Sequence, residues 1–319
     1  MNTFSSTLAN TDFNFPSQRS VYQGKVRDMY QVGDQIISIV TDRISAFDVI
    51  LPRTIPYKGQ VLNQIAAFFL EKTQEIVPNW FESSPDPNVS IGKKAEPIRI
   101  EVVVRGYLTG HAWRLYHSGI KEICGVHLPD GMQKNQQFKS PIITPAIKSL
   151  AGHDEDISEY DLIHQNHIPK QDWDIIRSLA LNLFDFGQKM AQDRGLILVD
   201  TKYEFGYYND SIILIDEIHT PDSSRYFYES DYQEAFSAQR DPNQLSKEFV
   251  REWLILQGFT GKDGQKVPEM DDKIVHQISE RYIELYEKIT GKRFIKGDSN
   301  NINSRVENNI LAYLDNRKA

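Results

Sequence analysis

The chain has 319 residues with 36 lysines and arginines against 44 aspartates and glutamates, a net charge of -8, so its balance argues against a general nucleic-acid or membrane-surface binder. No uninterrupted apolar run approaches the length needed to span a bilayer, and the length suits one large domain or two lobes rather than a string of modules. The single cysteine, Cys124, has no partner for an internal disulfide, and the opening MNTFSSTLANTDFNF lacks the basic start and apolar core of a secretory signal, which makes the cytoplasm the expected location.

Residues 1–18 are polar and without periodicity, and read as an arm lying on the surface or partly disordered. From Ser20, SVYQGKVRDMYQV and QIISIVTDR are expected as two strands joined at Gly33-Asp34, with Lys25 and Arg27 on one face of the first. Gly24 beside them allows a ligand close to the backbone, although an exposed polar strand shows the same pattern. Ile44-Ser45-Ala46-Phe47-Asp48 then places a hydroxyl, Ser45, and a carboxylate, Asp48, in one short loop. VLNQIAAFFLEKTQEIV is a core-packing helix stopped by Pro78. PIRIEVVVRGYLTGHAW predicts a strand from Ile98 to Val104 at a hinge between lobes and a helix starting near Gly110. Arg105, at the strand end, either anchors an anion or sits in a structural ion pair.

Phe138 to Ser158 reads as a long loop with two prolines, then Lys148, Gly152, His153 and Asp154. Zinc is not expected there, because no second histidine or cysteine stands at ligand spacing. Asp172 to Arg194 is an amphipathic helix burying Trp173, Ile176, Leu179, Leu183, Phe186 and Met190, and Gly195 ends it. It leads into two apolar runs, Leu196–Val199 and Ile212–Ile215, joined through Tyr207-Tyr208-Asn209-Asp210 as a hairpin.

That hairpin carries most of the chemistry. Strand alternation puts Asp200, Lys202 and Glu204 on one face. A turn centred on Asp210 sets Glu204 directly across from Asp216, with side chains about 5 Å apart, and two acids that close would hold Mg²⁺ between them. A register different by one residue separates them. Pro221-Asp222-Ser223-Ser224-Arg225 follows, a turn with two hydroxyls and a guanidinium suited to phosphate or carboxylate. The remaining segments SKEFVREWLILQGF, MDDKIVHQISERYIELYEKITG and SRVENNILAYL are helical, the last with a capping box from Ser304 to Glu307. Lys247 and Arg251 either reach the cleft or are solvated helix charge.

Taken in order, GKVRDMY (Gly24 to Tyr30), ISAFD (Ile44 to Asp48), EVVVRGYLTG (Glu101 to Gly110), TPAIK with GHDEDIS (Thr144 to Ser158), VDTKYEFG and IDEIHTPDSSR resemble the SAICAR synthetase family over nearly the whole chain. KEFVREWL and the helices after it resemble the longer form of that family. The resemblance implies an α+β, two-lobed kinase-like or ATP-grasp-like fold. A β-rich lobe of residues 19–97 would cover ATP, and an α/β lobe of residues 98–319 would hold the metal and substrate sites. It implies ATP and Mg²⁺ as cofactors, carboxyaminoimidazole ribonucleotide and L-aspartate as substrates, and a monomer or small homo-oligomer.

By position, the resemblance makes Gly24, Lys25, Arg27 and Glu101 nucleotide-binding, with adenine near Glu96 to Glu101, and makes Glu204 and Asp216 the metal ligands. Lys202 would stabilise the transferring phosphoryl group, Asp200 would orient or deprotonate the amine, and Lys148 would act with His153 and Asp154 on a closing loop. Ser45 and Asp48 would contact the aminoimidazole, and Arg105, Arg225 and Ser224 the ribotide phosphate. His111 stands where the family commonly has serine. A small-molecule kinase on the same scaffold, or a regulatory module that has lost catalysis, are the rival readings.

Overall fold

In the computed structural model residues 6–149 and 154–317 are described, and they form two antiparallel sheets joined through Lys94-Ala95. The first sheet contains β1 (Gln18–Gln23), β2 (Arg27–Val32) and β3 (Gln35–Val40). After the short pair β4 (Ser45–Ala46) and β5 (Val49–Ile50) and helix α1 (Lys58–Lys72), it is completed by β6 (Phe81–Asp86) and β7 (Val89–Lys93), in the order β1-β2-β3-β7-β6. The stretch expected as one strand is therefore two. Tyr22 pairs with Met29 and Gln23 with Asp28, so Gly24-Lys25-Val26 is a turn and Lys25 sits on it rather than on a strand face. The turn at Gly33-Asp34 is where the sequence places it, with Val32 opposite Gln35.

The N-terminal arm is a correction too. Leu8, Phe13 and Phe15 are buried against Tyr30, Ile37, Ile39, Val89 and Ile91. Their irregular spacing fits neither a helix nor a strand period, which hides an apolar strip inside a polar segment.

The second sheet begins with β8 (Glu96–Tyr107). Helix α2 (Gly110–His117), the small hairpin β9 (Glu122–Ile123) and β10 (Val126–His127), β11 (Gln137–Ile147) and β12 (Glu155–Asp156) follow. Helices α3 (Glu159–His164) and α4 (Lys170–Gln192) lead to β13 (Leu196–Tyr208), β14 (Ser211–Ile215) and β15 (Ser224–Tyr228). Helix α5 (Glu229–Ser237), β16 (Gln244–Leu245), α6 (Glu248–Leu256), α7 (Asp272–Thr290) and α8 (Ile302–Asn316) complete the chain. The sheet order is β12-β11-β8-β13-β15-β16, with β14 paired to β13.

Much of the expected loop from Phe138 is strand β11. Pro141 falls in a bulge between Gln137 and Ile142, and beyond β11 lies only the two-residue β12, so the missing proline N–H groups cost little. The C-terminal capping box is not used: α8 starts at Ile302 after Asn301, with Ser304 inside it. Val306 and Ile310 of α8 pack with the N-terminal arm on the first sheet, so that sheet draws its cover from both ends of the chain.

Helix α4 underlies β13. Its buried face is Trp173, Ile176, Ala180, Leu183, Phe184, Gly187 and Ala191, close to the predicted stripe. Gly187 is required for the approach, since a Cβ there would stand 2.4 Å from His219 Cε1. The turn after β13 has Tyr208 opposite Ser211, with Asn209 and Asp210 at φ 49 and 60, the two left-handed residues of a tight hairpin. Glu204 therefore faces Ile215, not Asp216; the register is the alternative one.

Candidate active site

Strand β13 runs between β8 and β15, and the charged side chains on one of its faces meet those of both neighbours. Asp200 lies opposite Arg105 of β8 and Arg225 of β15, while Glu204 lies opposite Glu101 of β8. Cross-strand pairing thus builds two charge groups, an Asp between two arginines and a lysine among glutamates.

In the second group, Lys202 Nζ is 3.0 Å from Glu101 Oε2 and 2.9 Å from Glu204 Oε1. Glu204 Oε2 receives Lys148 Nζ from the end of β11 at 2.5 Å. Burial opposes ionisation of Glu204, but Lys202 and Lys148 outweigh it and hold the carboxyl at about 2. Burial likewise works against charge on Lys202, yet Glu101 and Glu204 keep it protonated well above the usual lysine range.

Asp216 ends the hairpin at φ 60, with its carbonyl accepting Trp80 Nε1 at 2.9 Å. Its carboxylate is 3.5 Å from Arg27, which also pairs with Glu217. Burial raises the Asp216 carboxyl to about 6, Arg27 pulls against this, and the charge of Glu204 adds to it. The two predicted metal ligands are thus not cross-strand partners, but they lie close enough to repel.

At the other end, Arg225 donates to Asp200 and, at 3.0 Å, to Glu248. Arg105 NH1 is 3.5 Å from Asp200, and Arg105 Nε donates to Thr144 Oγ1 at 2.8 Å. Gly110, at φ 55, leaves room for this: a Cβ would be 2.5 Å from Arg225 NH2. Ser224 Oγ is bonded to Thr201 Oγ1 at 2.7 Å, and His111 Nε2 lies 2.8 Å from Asp156 Oδ2.

A cavity of about 620 Å³ gathers Asp48, Glu101, Arg105, His111, Asp200, Lys202, Ser224 and Arg225 among its lining residues. Ser45, Gly24, Lys25, Arg27, Lys148, Glu204 and Asp216 are not in that lining. Several connect to it through a partner: Lys25 pairs with Asp48, and Lys148 and Glu204 reach it through Lys202. Gly24 closes its turn with an N–H bond to Arg27 O at 2.7 Å. Ser45 lies in the β4–β5 pair opposite Ile50. Asp154 accepts the Ser149 N–H at 3.1 Å, and His153 lies outside the described residues.

One cluster escapes the sequence reading. Asp222 Oδ2 is shared by Lys58 at 3.1 Å and Lys247 at 3.4 Å, and Oδ1 accepts Tyr282 at 2.6 Å. Lys58 is fully buried. Burial works against the Asp222 charge, but Lys247 and Lys58 hold its carboxyl well below the ordinary range. A lysine at a helix start, 164 residues from its partner, carries no local signal of burial. Of this group, Asp222, within the turn before Arg225, and Lys247 fall in stretches that the sequence marks, whereas Lys58 and Tyr282 do not.

Residues 20–268 match the family model for SAICAR synthetase. The phosphoribosylaminoimidazole-succinocarboxamide synthase of Bacteroides fragilis is 57% identical over 309 residues, covering 96% of this chain and 98% of that one. Its counterpart in Flavobacterium psychrophilum is 54% identical over 314 residues, covering 98% and 99%. The solved SAICAR synthase of Saccharomyces cerevisiae, complexed with SAICAR, has a TM-score of 0.77 and 30% identity over 90% of this chain and 99% of its own. A type-2 SAICAR synthetase in complex with ADP shares the fold, with a TM-score of 0.66 and 23% identity over 86% of this chain and 100% of its own. With the family model spanning most of the residues and relatives matching at more than half identity almost end to end, the chain belongs to the SAICAR synthetase family.

Proposed function

We propose that this cleft carries out the SAICAR synthetase reaction, in which ATP drives the joining of L-aspartate to carboxyaminoimidazole ribonucleotide, giving SAICAR, ADP and phosphate on the route to purines. The observation that carries the reading is the β13 face. Asp200, Lys202 and Glu204 stand in a row between an arginine pair and a second glutamate, the first two lining one cavity and Glu204 bound to it through Lys202. The first sheet is the nucleotide-covering lobe of a two-lobed, kinase-like arrangement, with the Gly24-Lys25 turn over the phosphates. Adenine belongs near Glu96 to Glu101. Glu101 itself is committed to Lys202, so it acts at the phosphate end.

The chemistry proceeds in two displacements. An oxygen of the ribotide carboxylate attacks the γ-phosphorus and ADP leaves. The amine of aspartate then attacks the acyl carbon and expels phosphate, with loss of a proton from nitrogen. Lys202 and Lys148 offset negative charge on the phosphoryl group as it moves, which is the main work of phosphoryl transfer sites. Arg105 and Arg225 clamp the ribotide phosphate bidentately. As they turn to it they release Asp200, which accepts from Arg225 and forms an ion pair with Arg105 at 3.5 Å. The freed carboxylate then takes the amine proton.

Glu204 and Asp216 fit a divalent cation. Both are oxygen donors, and the charge of Glu204 helps to push up the Asp216 carboxyl, a repulsion that a cation removes. Among the described residues no three acidic, histidine or cysteine side chains group to hold a metal. The remaining ligands must therefore come from phosphate oxygens and water, which suits Mg²⁺. When bound, the ion supplies positive charge against the triphosphate.

The test is ADP release from the purified protein with ATP and Mg²⁺, adding the ribotide and L-aspartate separately and together. Rapid release with an ultraviolet-absorbing succinocarboxamide product only when both are present supports the ligase. Full turnover without aspartate would assign a kinase, and ATP binding without any release a regulatory module.

A further inference from the structure

Arg43 follows β3 and is only 8% exposed. A guanidinium out of water needs its donors satisfied, and four of the five find oxygen. Nε donates to Lys25 O at 3.2 Å, NH2 to Gly24 O at 2.9 Å and to Asp28 Oδ1 at 2.6 Å, and NH1 to Ala9 O at 2.6 Å. Two of these acceptors are carbonyls of the turn between β1 and β2. The third carbonyl of that turn, Val26 O, accepts Thr41 N at 3.0 Å and Thr41 Oγ1 at 2.8 Å. Every carbonyl from Gly24 to Val26 is thus drawn toward Thr41 and Arg43.

Across a trans peptide the N–H points opposite to the C=O. Tying down Gly24 O and Lys25 O therefore turns the N–H groups of Lys25 and Val26 away from Arg43, and among the described residues neither has an acceptor. Two such donors beside the Lys25 ammonium make a cradle for anionic oxygens. The same peptides reversed would present carbonyl oxygens, which repel phosphate, and Gly24 makes such a flip easy. The planar fork of Arg43, bonded to both carbonyls at once, opposes it.

Arg43 is itself held from the far side. Asp28, fully buried, gives Oδ1 to Arg43, while its Oδ2 accepts Thr11 N at 3.1 Å and Thr11 Oγ1 at 2.7 Å. With Ala9 O on NH1 as well, the N-terminal arm supplies part of the socket in which the guanidinium sits.

We propose that Arg43 is a positioning residue for triphosphate binding: it holds the turn with its carbonyls to the rear and its free N–H groups to the phosphates, and the arm, through Ala9 and Thr11, fixes Arg43 in place. This rests on the reading that the Gly24-Lys25 turn covers the phosphates of ATP. The arm is then part of the nucleotide site without touching the nucleotide.

The experiment measures binding of ATP and of adenosine, with Mg²⁺, by calorimetric titration of the natural enzyme, Arg43→Lys, Thr11→Val and Lys25→Met, with thermal unfolding alongside. Arg43→Lys keeps a cation for Asp28 but loses the fork that spans two carbonyls. It should bind ATP about tenfold more weakly, the worth of one hydrogen bond to a charged group, with adenosine affinity unaltered. Thr11→Val leaves Arg43 in place and loosens its socket, so it should show a smaller loss of the same kind; it carries the test alone if Arg43→Lys does not fold. Unchanged ATP affinity in either folded variant overturns the proposal. Equal losses for ATP and adenosine overturn it too, because Arg43 would then only brace the sheet. Lys25→Met separates this from the site reading. If that variant binds ATP as tightly as the natural enzyme, the turn does not meet the phosphates and the reading itself fails; if it alone loses ATP affinity, the reading stands and the role of Arg43 falls.

Discussion

Lys148 Nζ lies 2.5 Å from Glu204 Oε2, so an ammonium occupies the carboxylate that is assigned to the metal. Lysine and cation compete for one ligand. Lys148→Met should therefore tighten binding of Mn²⁺ in the absence of nucleotide while it slows turnover, two effects of opposite sense. Lys148 is partly exposed, so the gain should be at most about fivefold, the ~1 kcal/mol or less of a solvent-screened ion pair. Calorimetric titration of both proteins checks it. Weaker Mn²⁺ binding in the variant would show that Lys148 supports the site rather than competing for it.

Lys202 is held between Glu101 and Glu204 at 3.0 and 2.9 Å, with its charge secured by both. Replacing it with methionine removes positive charge where the proposed mechanism moves the phosphoryl group. The expected loss is about 10²- to 10³-fold in kcat, as for removal of one preorganised donor, with ATP affinity changed far less. Single-turnover ADP formation alongside equilibrium nucleotide binding separates the two. Equal losses in binding and rate would mean that Lys202 only anchors ATP.

Glu248 accepts Arg225 and Arg251, each at 3.0 Å. Burial raises its carboxyl, the two arginines outweigh burial, and the net position is about 2 against an ordinary 4.5. An acid depressed on folding contributes stability that is complete above its unfolded value and is lost as pH falls through the folded one. Glu248→Gln should thus cost about 1–3 kcal/mol at pH 7, and the difference from the natural protein should shrink between pH 4.5 and about 2. Thermal unfolding of both proteins across this range is the measurement; a difference that grows on acidification would contradict the ion-pair account.

Gly187 of α4 faces β13 where a Cβ would stand 2.4 Å from His219 Cε1 and 2.7 Å from Leu198 Cδ2. Gly187→Ala should destabilise the protein by about 1–3 kcal/mol through overpacking, even though alanine is the better helix former. Because α4 sets the height of β13 beneath Asp200 and Lys202, turnover should fall as well. An unaltered melting temperature would show that the helix can move away.

How far the sequence carries depends on the range of the interaction. Alternation along β13 is local, so the shared face of Asp200, Lys202 and Glu204 was legible from residue order alone. The partner of Asp216 was not: two adjacent turn residues, Asn209 and Asp210, shift the register by one and put Ile215 opposite Glu204. Proline made β11 look like a loop, since the sequence does not show that one of its two edges meets only the two-residue β12. Lys58 and Asp222 find each other only through packing of α1 against α7 and the turn before β15, which no local pattern encodes. The roles of Arg105 and Arg225 came from the family resemblance; the structure adds that Asp200 stands between them because β13 separates their strands.

The proposed mechanism requires ATP to activate the ribotide carboxylate in this cleft before the amine attacks. Its most direct test is to label the oxygens of that carboxylate with ¹⁸O and analyse the phosphate released during one turnover with ATP and L-aspartate. Transfer of the phosphoryl group to the carboxylate, followed by displacement at the acyl carbon, predicts that each phosphate carries one labelled oxygen. Phosphate free of label would contradict the claim, because the carboxylate could not then have been the phosphoryl acceptor.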